Sequence, residues 1–78
     1  MGNKVCGDDH ASINPNLKKG NDNYLVGNYE EALNDYNQAI QDEPNNPHAY
    51  NNRARTYEKL NRIEEAKNDL DKVIELDP

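Results

Sequence analysis

The most constraining feature of this chain is a segment that returns at a fixed interval. Residues 30–35, EEALND, recur 34 residues later at 64–69 as EEAKND. The same offset pairs Ile40 with Ile74 and Pro44 with Pro78. Similarity at a fixed period is typical of arrays of stacked supersecondary units. Because such units contact mainly their neighbours, the repeat favours an extended binding surface over an enclosed catalytic pocket.

Start and stop signals divide the chain into four predicted helices, near residues 15–26, 29–42, 47–60 and 62–76. Asn-Pro pairs at 14–15 and 46–47 favour helix starts, because Asn can cap free backbone N–H groups and Pro fits the first helical position. Gly27 and Asn61 suit the left-handed conformation that ends a helix. Asn28 with Glu31 predicts a capping box for the second helix. Residues 1–13 show no apolar period, which predicts a flexible N-terminal arm.

Apolar residues follow the helical period of about 3.6. The second helix carries Tyr29, Ala32, Tyr36, Ala39 and Ile40, the fourth carries Ile63, Ala66, Leu70, Val73 and Ile74, and the third carries Tyr50, Ala54, Tyr57 and Leu60. The predicted fold is therefore all-α, with residues 14–78 forming two tandem antiparallel helix–turn–helix repeats at about 13–46 and 47–78.

Composition excludes several classes of function. A formal net charge of -6 argues against nonspecific binding to nucleic-acid phosphates. No apolar run approaches the roughly 20 residues of a membrane span. The single cysteine, Cys6, has no partner for an internal disulfide, which favours a reducing, cytoplasmic setting.

Metal, cofactor and catalytic sites are not predicted. The potential ligands Cys6, Asp8, Asp9 and His10 lie on one segment with no second cluster to complete a site. His48 stands alone, and no glycine belongs to a phosphate-binding loop. We therefore expect a binding protein with no cofactor, and not an enzyme.

At the repeated positions the chain resembles the tetratricopeptide repeat family, whose unit is a helix–turn–helix of about 34 residues. The second copy matches the family pattern at Tyr50, Ala54, Tyr57, Ala66, Leu70 and Pro78, and Arg53 replaces a leucine. The first copy matches at Gly20, Ala32, Tyr36 and Pro44, but not at Asn16, Lys19 and Asn23. The resemblance implies a right-handed superhelical array whose concave groove, lined by the first helix of each repeat, binds peptides or partner segments.

Charge is distributed unevenly between the helices. Residues 29–43 carry five acids and no base, whereas the first and third helices carry an excess of bases. On the groove side implied by the resemblance, the candidate peptide-binding residues are Lys18, Asn21, Leu25, His48, Asn52, Arg55 and Lys59. Such a surface would favour an acidic peptide or a C-terminal carboxylate. The alternative is that these are ordinary solvated polar residues.

A second resemblance is to the carboxylate-clamp tetratricopeptide domains of co-chaperones, which grip the acidic tail of heat-shock chaperones. Asn21 and Asn52 fall on the two asparagine positions of the clamp. Leu17 occupies its first lysine position, with Lys18 one residue away, and residues 1–78 contain no third repeat to supply its last Lys and Arg. The resemblance implies at most a weak hold on a carboxylate.

Two further hypotheses concern the ends of the chain. Residues 1–6, MGNKVC, resemble an N-myristoylation start at Gly2, and Cys6 offers a site for palmitoylation; a Met-Gly added by an expression vector is the alternative. Lipidation would place the protein at a membrane, although Asp8 and Asp9 would be repelled by anionic lipid. The apolar stripe of the fourth helix supports a different function, a structural adaptor or assembly subunit that docks on a partner or on a second copy.

Overall fold

A computed structural model describes residues 14–78, which form four helices: α1 (Pro15–Leu25), α2 (Tyr29–Asp42), α3 (Pro47–Lys59) and α4 (Ile63–Leu76). Each helix packs against the next in the chain, and α1 also meets α3. No strand occurs within this range. The structure thus confirms the predicted all-α fold, with two helix–turn–helix units in tandem.

The Asn-Pro pairs begin α1 and α3 in the same way. The side-chain oxygen of Asn14 accepts a hydrogen bond from the backbone N–H of Asn16 at 2.8 Å, and that of Asn46 accepts one from His48 at 3.0 Å. Each bond satisfies an N–H that the first helical turn leaves without an intrahelical partner. Both predicted caps are confirmed.

The turns inside the two repeats use left-handed residues at equivalent positions. Gly27 has φ +87° and Asn61 has φ +63°, and they lie 34 residues apart. Glycine adopts this conformation without steric cost, and Asn tolerates it better than most residues do. The predicted helix ends are confirmed to within one residue.

The capping box predicted for α2 is wrong. Asn28 makes no side-chain bond to the helix, and its ψ of 70° differs from the extended values of Asn14 and Asn46, 132° and 106°. Because the backbone is not extended at Asn28, its side chain does not lie over the free N–H groups of the first turn. Arg62, the equivalent residue before α4, has a similar ψ of 74°.

The core lies between α1, α2 and α3 and is built from small residues and one large ring. Tyr36 is 1% exposed, and Leu17, Ala32, Ala39 and Ala49 are buried around it. Ala54 and Ala66 are each 1% exposed, so small side chains do stand where neighbouring helices approach. Burial of the polar Thr56 was not predicted; its hydroxyl donates to the backbone oxygen of Asn52 at 2.9 Å.

The apolar stripe of α4 is covered only in part. Ala66 is buried, but Ile63, Leu70 and Ile74 are 48%, 37% and 64% exposed. The equivalent residues of α2, which are Tyr29, Tyr36 and Ile40, are buried or half-buried, since α2 packs against both α1 and α3. Among the described helices, α4 packs against α3 alone. The predicted uncovered surface is therefore present in residues 14–78.

The predicted arm, with the acylation candidates Gly2 and Cys6, lies outside the described residues, so lipidation stays a prediction. Of the four described helices, none combines the length and the hydropathy that a membrane crossing requires.

Candidate peptide-binding groove

A surface cavity of about 300 Å³ lies where α1 and α3 run side by side over α2. Its walls are formed by Asn21, Tyr24 and Leu25 of α1, Tyr36 of α2, and Asn52 and Arg55 of α3. The structure thus brings four of the seven predicted peptide-binding residues, Asn21, Leu25, Asn52 and Arg55, to one place. We call this cavity the groove.

Hydrogen bonds fix the floor of the groove. The Tyr36 hydroxyl donates to Oδ1 of Asn21 at 2.6 Å, and Nδ2 of Asn52 donates to the same oxygen at 3.0 Å. Asn21 is therefore held from below by α2 and from the side by α3. The bond between the two asparagines joins the first helices of the two repeats, and it positions both amides at the groove surface.

The proton of the Tyr36 hydroxyl is firmly held. Burial raises the pKa of Tyr36 to about 12; the neighbouring Tyr24 and the carboxylate of Asp35 add to the rise, and Arg55 opposes it. The Tyr36 hydroxyl thus stays protonated at neutral pH, as its donated hydrogen bond to Oδ1 of Asn21 requires.

The two walls of the groove differ in chemistry. On the α1 wall Leu25 is 80% exposed, and beside it the ring of Tyr24 stacks edge-on against Tyr29 with the centroids 5.5 Å apart. Arg55 lies exposed on the α3 wall, and it forms no ion pair with any of residues 14–78. An apolar contact and a cation are thus available around the two amides.

The other three predicted residues lie on the same helices but outside the groove walls. Lys18 is exposed and pairs with Asp22 one turn along α1, with Nζ 3.4 Å from Oδ2. His48 and Lys59 lie exposed near the two ends of α3. Their part in binding stays a prediction.

Sequence reasoning missed the role of Arg53, which it treated only as a departure from the family leucine. Arg53 Nε and Nη2 donate to the two carboxylate oxygens of Asp69 at 2.8 and 2.6 Å, and Nη1 donates to Asn37 at 2.8 Å. The bonds to Asp69 raise the pKa of Arg53 above its ordinary value. Its guanidinium also lies 5.7 Å from the ring centres of Tyr50 and Tyr57, within range of a cation–π interaction.

One signal could have revealed this ion pair. Asp69 is the repeat counterpart of Asp35, and the structure shows that each aspartate accepts from the first helix of its own repeat. Asp35 accepts from Nδ2 of Asn23 at 2.7 Å, and Asp69 accepts from Arg53. The repeated aspartate therefore joins the two helices of a repeat, and a donor for it was to be expected on the preceding helix.

Over residues 14–78, no group of three or more His, Cys, Asp or Glu side chains could hold a metal ion. The groove, with two amides, a guanidinium, a phenol and apolar walls, offers hydrogen bonds and contact surface.

Comparison with known proteins agrees with this architecture. A family model described as TPR repeat matches residues 20–61, and one described as tetratricopeptide repeat matches residues 47–78. Hsp70-Hsp90 organizing protein 2 of Arabidopsis thaliana is 44% identical over 61 residues, which is 78% of this chain and 11% of that protein. Hsp70-Hsp90 organizing protein of Triticum aestivum is 43% identical over 61 residues, again 78% of this chain and 10% of that protein.

A further similar protein carries a different name. Sperm-associated antigen 1 of Mus musculus is 43% identical over 60 residues, which is 77% of this chain and 6% of that protein. The chain thus spans about a tenth or less of the length of these relatives. The 34-residue repeat, the paired helices and the family match over more than half of the chain lead to one conclusion: the chain belongs to the tetratricopeptide repeat family.

Proposed function

We propose that this chain is a protein-interaction module that binds an acidic segment of a partner protein in the groove between α1 and α3. The observation that carries the proposal is the position of Arg55. Its guanidinium, which pairs with no residue of 14–78, stands on the wall of a cavity that also presents Asn21, Asn52 and Leu25. A carboxylate that enters this cavity would gain a charge-assisted hydrogen bond.

The charges of the whole molecule support the selection of an acidic ligand at this place. The chain is acidic overall, yet α1 and α3 carry more bases than acids, and α2 and α4 carry most of the acids. The local field of the groove walls thus opposes the net charge. The names of the plant relatives associate those proteins with Hsp70 and Hsp90. We take this as support for a protein partner here as well.

The test is a selection of random phage-displayed peptides by the folded chain, followed by titration of the enriched peptides. We expect enrichment of Asp and Glu. The double variant Arg55→Glu/Lys59→Glu should weaken binding of the enriched peptides by about tenfold or more, because the charge reversal turns the attraction for acidic side chains into repulsion. Its melting temperature should change little, since exposed charges contribute about 0–1 kcal/mol to stability.

Lys67→Glu is the matched control, because Lys67 is an exposed cation on α4, away from the groove. It changes the net charge by the same amount per site and should leave affinity within about twofold. Enriched peptides that are neutral or basic would contradict the proposal, and so would affinity unchanged by the double variant.

A second candidate function rests on the exposed side chains of Ile63, Leu70 and Ile74. These residues lie along one side of α4, and they offer an apolar strip to another protein or to a second copy of this chain. The strip and the groove are lined by different residues, so an adaptor could use both at once.

A further inference from the structure

We propose that two copies of this chain pair through α4, with the two helices antiparallel and Lys67 of each copy beside Asp71 of the other. This inference rests on the second candidate function, the exposed strip of Ile63, Leu70 and Ile74, and it specifies a second copy as the partner. It does not involve the groove.

The exposed line on α4 contains one lysine among three apolar residues. Its members are, in chain order, Ile63, Lys67, Leu70 and Ile74, and all are exposed. They are spaced by four, three and four residues, so they stand in one line along the helix. Because this spacing reads the same in both directions, the line is symmetric about its midpoint. An antiparallel copy of the line would therefore face it in register.

The antiparallel register brings matching side chains together. Ile63 of one copy lies opposite Ile74 of the other, and Lys67 lies opposite Leu70. Asp71 follows Leu70 and lies one step round the helix, on the flank where Lys67 also stands. The four-carbon chain of Lys67 can thus cover the second copy's Leu70 while its ammonium group reaches the second copy's Asp71. Each contact occurs twice, because a two-fold interface uses the same surface of both copies.

The charges that this register pairs are free to do so. Lys67 and Asp71 are both exposed, and neither forms an ion pair with any of residues 14–78. Lys72 and Glu75, by contrast, already pair with each other, with Nζ 3.2 Å from Oε1. Glu64 is exposed and lies near the end of the contact, where water and salt screen its charge.

Comparison with the first repeat shows what is particular to this surface. The counterparts of Lys67 and Asp71 in α2, 34 residues earlier, are Leu33 and Asn37. Leu33 is buried, and Asn37 accepts a hydrogen bond from Arg53 of the following helix. The second repeat therefore carries two opposite charges at places where the first repeat carries none.

The same comparison argues against a head-to-tail contact, in which α4 of one copy would pack on α1 of the next as α2 packs on α3. Lys67 would then take the buried position of Leu33, and its charge would leave water without a partner. The receiving helix also differs from α3: where α3 buries Ala49, α1 has the exposed Pro15, followed about one turn later by the exposed Lys19. Antiparallel pairing of α4 keeps the lysine charge at the rim and gives it an acid.

The pairing should be weak and should stop at the dimer. Three apolar side chains per copy make a small interface, and interfaces below about 1,200 Å² of total buried area are typical of transient complexes. The net charge of -6 on each copy adds a repulsion. Because a two-fold contact closes on itself, we expect dimers and not longer polymers as the concentration rises.

The test exchanges the two charges between copies. In Lys67→Glu each contact would join two acids, and in Asp71→Lys each would join two lysines, so either variant alone should associate at least about fivefold more weakly than the parent. In an equimolar mixture of the two variants, each contact again joins an acid and a lysine. The mixture should form heterodimers with a dissociation constant within about threefold of the parent's. Sedimentation equilibrium over a concentration series would measure all four samples.

The net charge does not explain such a rescue. Each substitution changes the net charge of -6 by two, so both variants stay acidic and repel each other in general. Lys19→Glu and Asp22→Lys are the matched controls, because they make the same changes of charge at exposed positions of α1. Each should leave self-association within about twofold of the parent's.

Three results would overturn the inference. A parent that stays monomeric throughout the series would do so and would leave the strip to other proteins. A mixture that associates no better than the single variants, or Lys67→Glu associating as the parent does, would show a different contact between copies. Association unchanged in Ile63→Ser, at an exposed position of the strip, would show that the strip is not the contact, and it would count against the second candidate function as well.

Discussion

Gly20 lies directly against the ring of Tyr36, so closely that a methyl group at position 20 would stand 2.5 Å from Cε1 of the ring. Tyr36 is 1% exposed, and its hydroxyl is fixed by Asn21, so the ring has no room to withdraw. The contact sets the distance between α1 and α2. It also keeps the Tyr36 hydroxyl within hydrogen-bonding distance of the Asn21 side chain.

We expect Gly20→Ala to destabilise the fold, although alanine is the better helix former. The helical gain is about 1 kcal/mol, whereas forcing a methyl group into a packed core costs about 1–3 kcal/mol. The net loss, about 1 kcal/mol, should lower the melting temperature by about 4–8 °C for a domain of this size. Circular dichroism melting would measure it.

The control for Gly20→Ala is Lys19→Ala, at an exposed position of the same helix. Its melting temperature should stay within a few degrees of the parent's, because exposed sites usually change stability by no more than about 0.5 kcal/mol. A Gly20→Ala variant as stable as Lys19→Ala would show that the ring can move.

The ion pair between Arg53 and Asp69 gives a second prediction. Asp69 is buried, and its side chain is 5% exposed against 21% for that of Arg53. Arg53→Leu restores the family residue but leaves a buried carboxylate without its cation, and it should cost about 3 kcal/mol of unfolding free energy. Urea unfolding would measure the loss.

The double variant Arg53→Leu/Asp69→Leu should be more stable than Arg53→Leu alone, because no charge remains buried without a partner. Arg62 and Glu65 provide the comparison, since they form an ion pair with Nη2 and Oε2 2.6 Å apart and both side chains more than 40% exposed. Removing this exposed pair should cost much less than removing the buried one, because solvent screens it. If breaking either ion pair lowered the unfolding free energy by the same amount, burial of Asp69 would not make its pair more important for stability.

Stability should fall at high pH because of Tyr36. Its pKa is raised to about 12 in the folded chain, against an ordinary value of about 10. Above about pH 10 the unfolded chain loses this proton while the folded chain keeps it, so the unfolding free energy falls by up to about 2–3 kcal/mol between pH 10 and 12. Below pH 10 the contribution is fully present.

The Tyr36→Phe variant isolates the contribution of the Tyr36 hydroxyl. It should start less stable, having lost the bond to Asn21, and should lose less stability than the parent between pH 10 and 12. Absorbance of the phenolates should show a high-pH step in the parent that is absent from the Tyr36→Phe variant. Parallel pH profiles for the two chains would contradict the assignment.

The exposed strip on α4 gives a prediction about assembly. Ile63, Leu70 and Ile74 together should promote association of the chain with itself at high concentration, since burying them removes apolar surface from water. Ile74→Ser should reduce this association in sedimentation equilibrium. Val26→Ser is the control, because Val26 is 71% exposed but lies in the turn between α1 and α2. A strictly monomeric parent would count against self-assembly and leave the strip to other partners.

The helices were largely predictable, because their signals are local. An Asn-Pro pair fixes a helix start, and Gly27 or Asn61 fixes an end, through backbone preferences that need no tertiary contact. The exception was Asn28, whose residue type suggested a cap that its backbone angles do not allow. Residue type alone does not determine φ and ψ.

The candidate site was predictable only in part, because its details depend on distant contacts. The helical period placed Asn21 and Asn52 on the groove side of their helices, but it contained nothing about the Tyr36 hydroxyl that joins them. Tyr36 was assigned to the core by its apolar stripe, and that was correct for its ring. The hydroxyl of Tyr36, by contrast, bonds Asn21 at the floor of the groove.

The contacts of Arg53 have a consequence for how the chain unfolds. In repeat proteins the stability of the array is close to a sum of terms within repeats and terms between neighbours, and weak junctions let repeats melt one at a time. Arg53 bonds Asn37 of the first repeat and Asp69 of the second with the same guanidinium. Separating the repeats would break the bond to Asn37, and unfolding the second repeat would break the bonds to both Asn37 and Asp69. The junction therefore couples the two repeats, and they should lose their structure in a single cooperative transition.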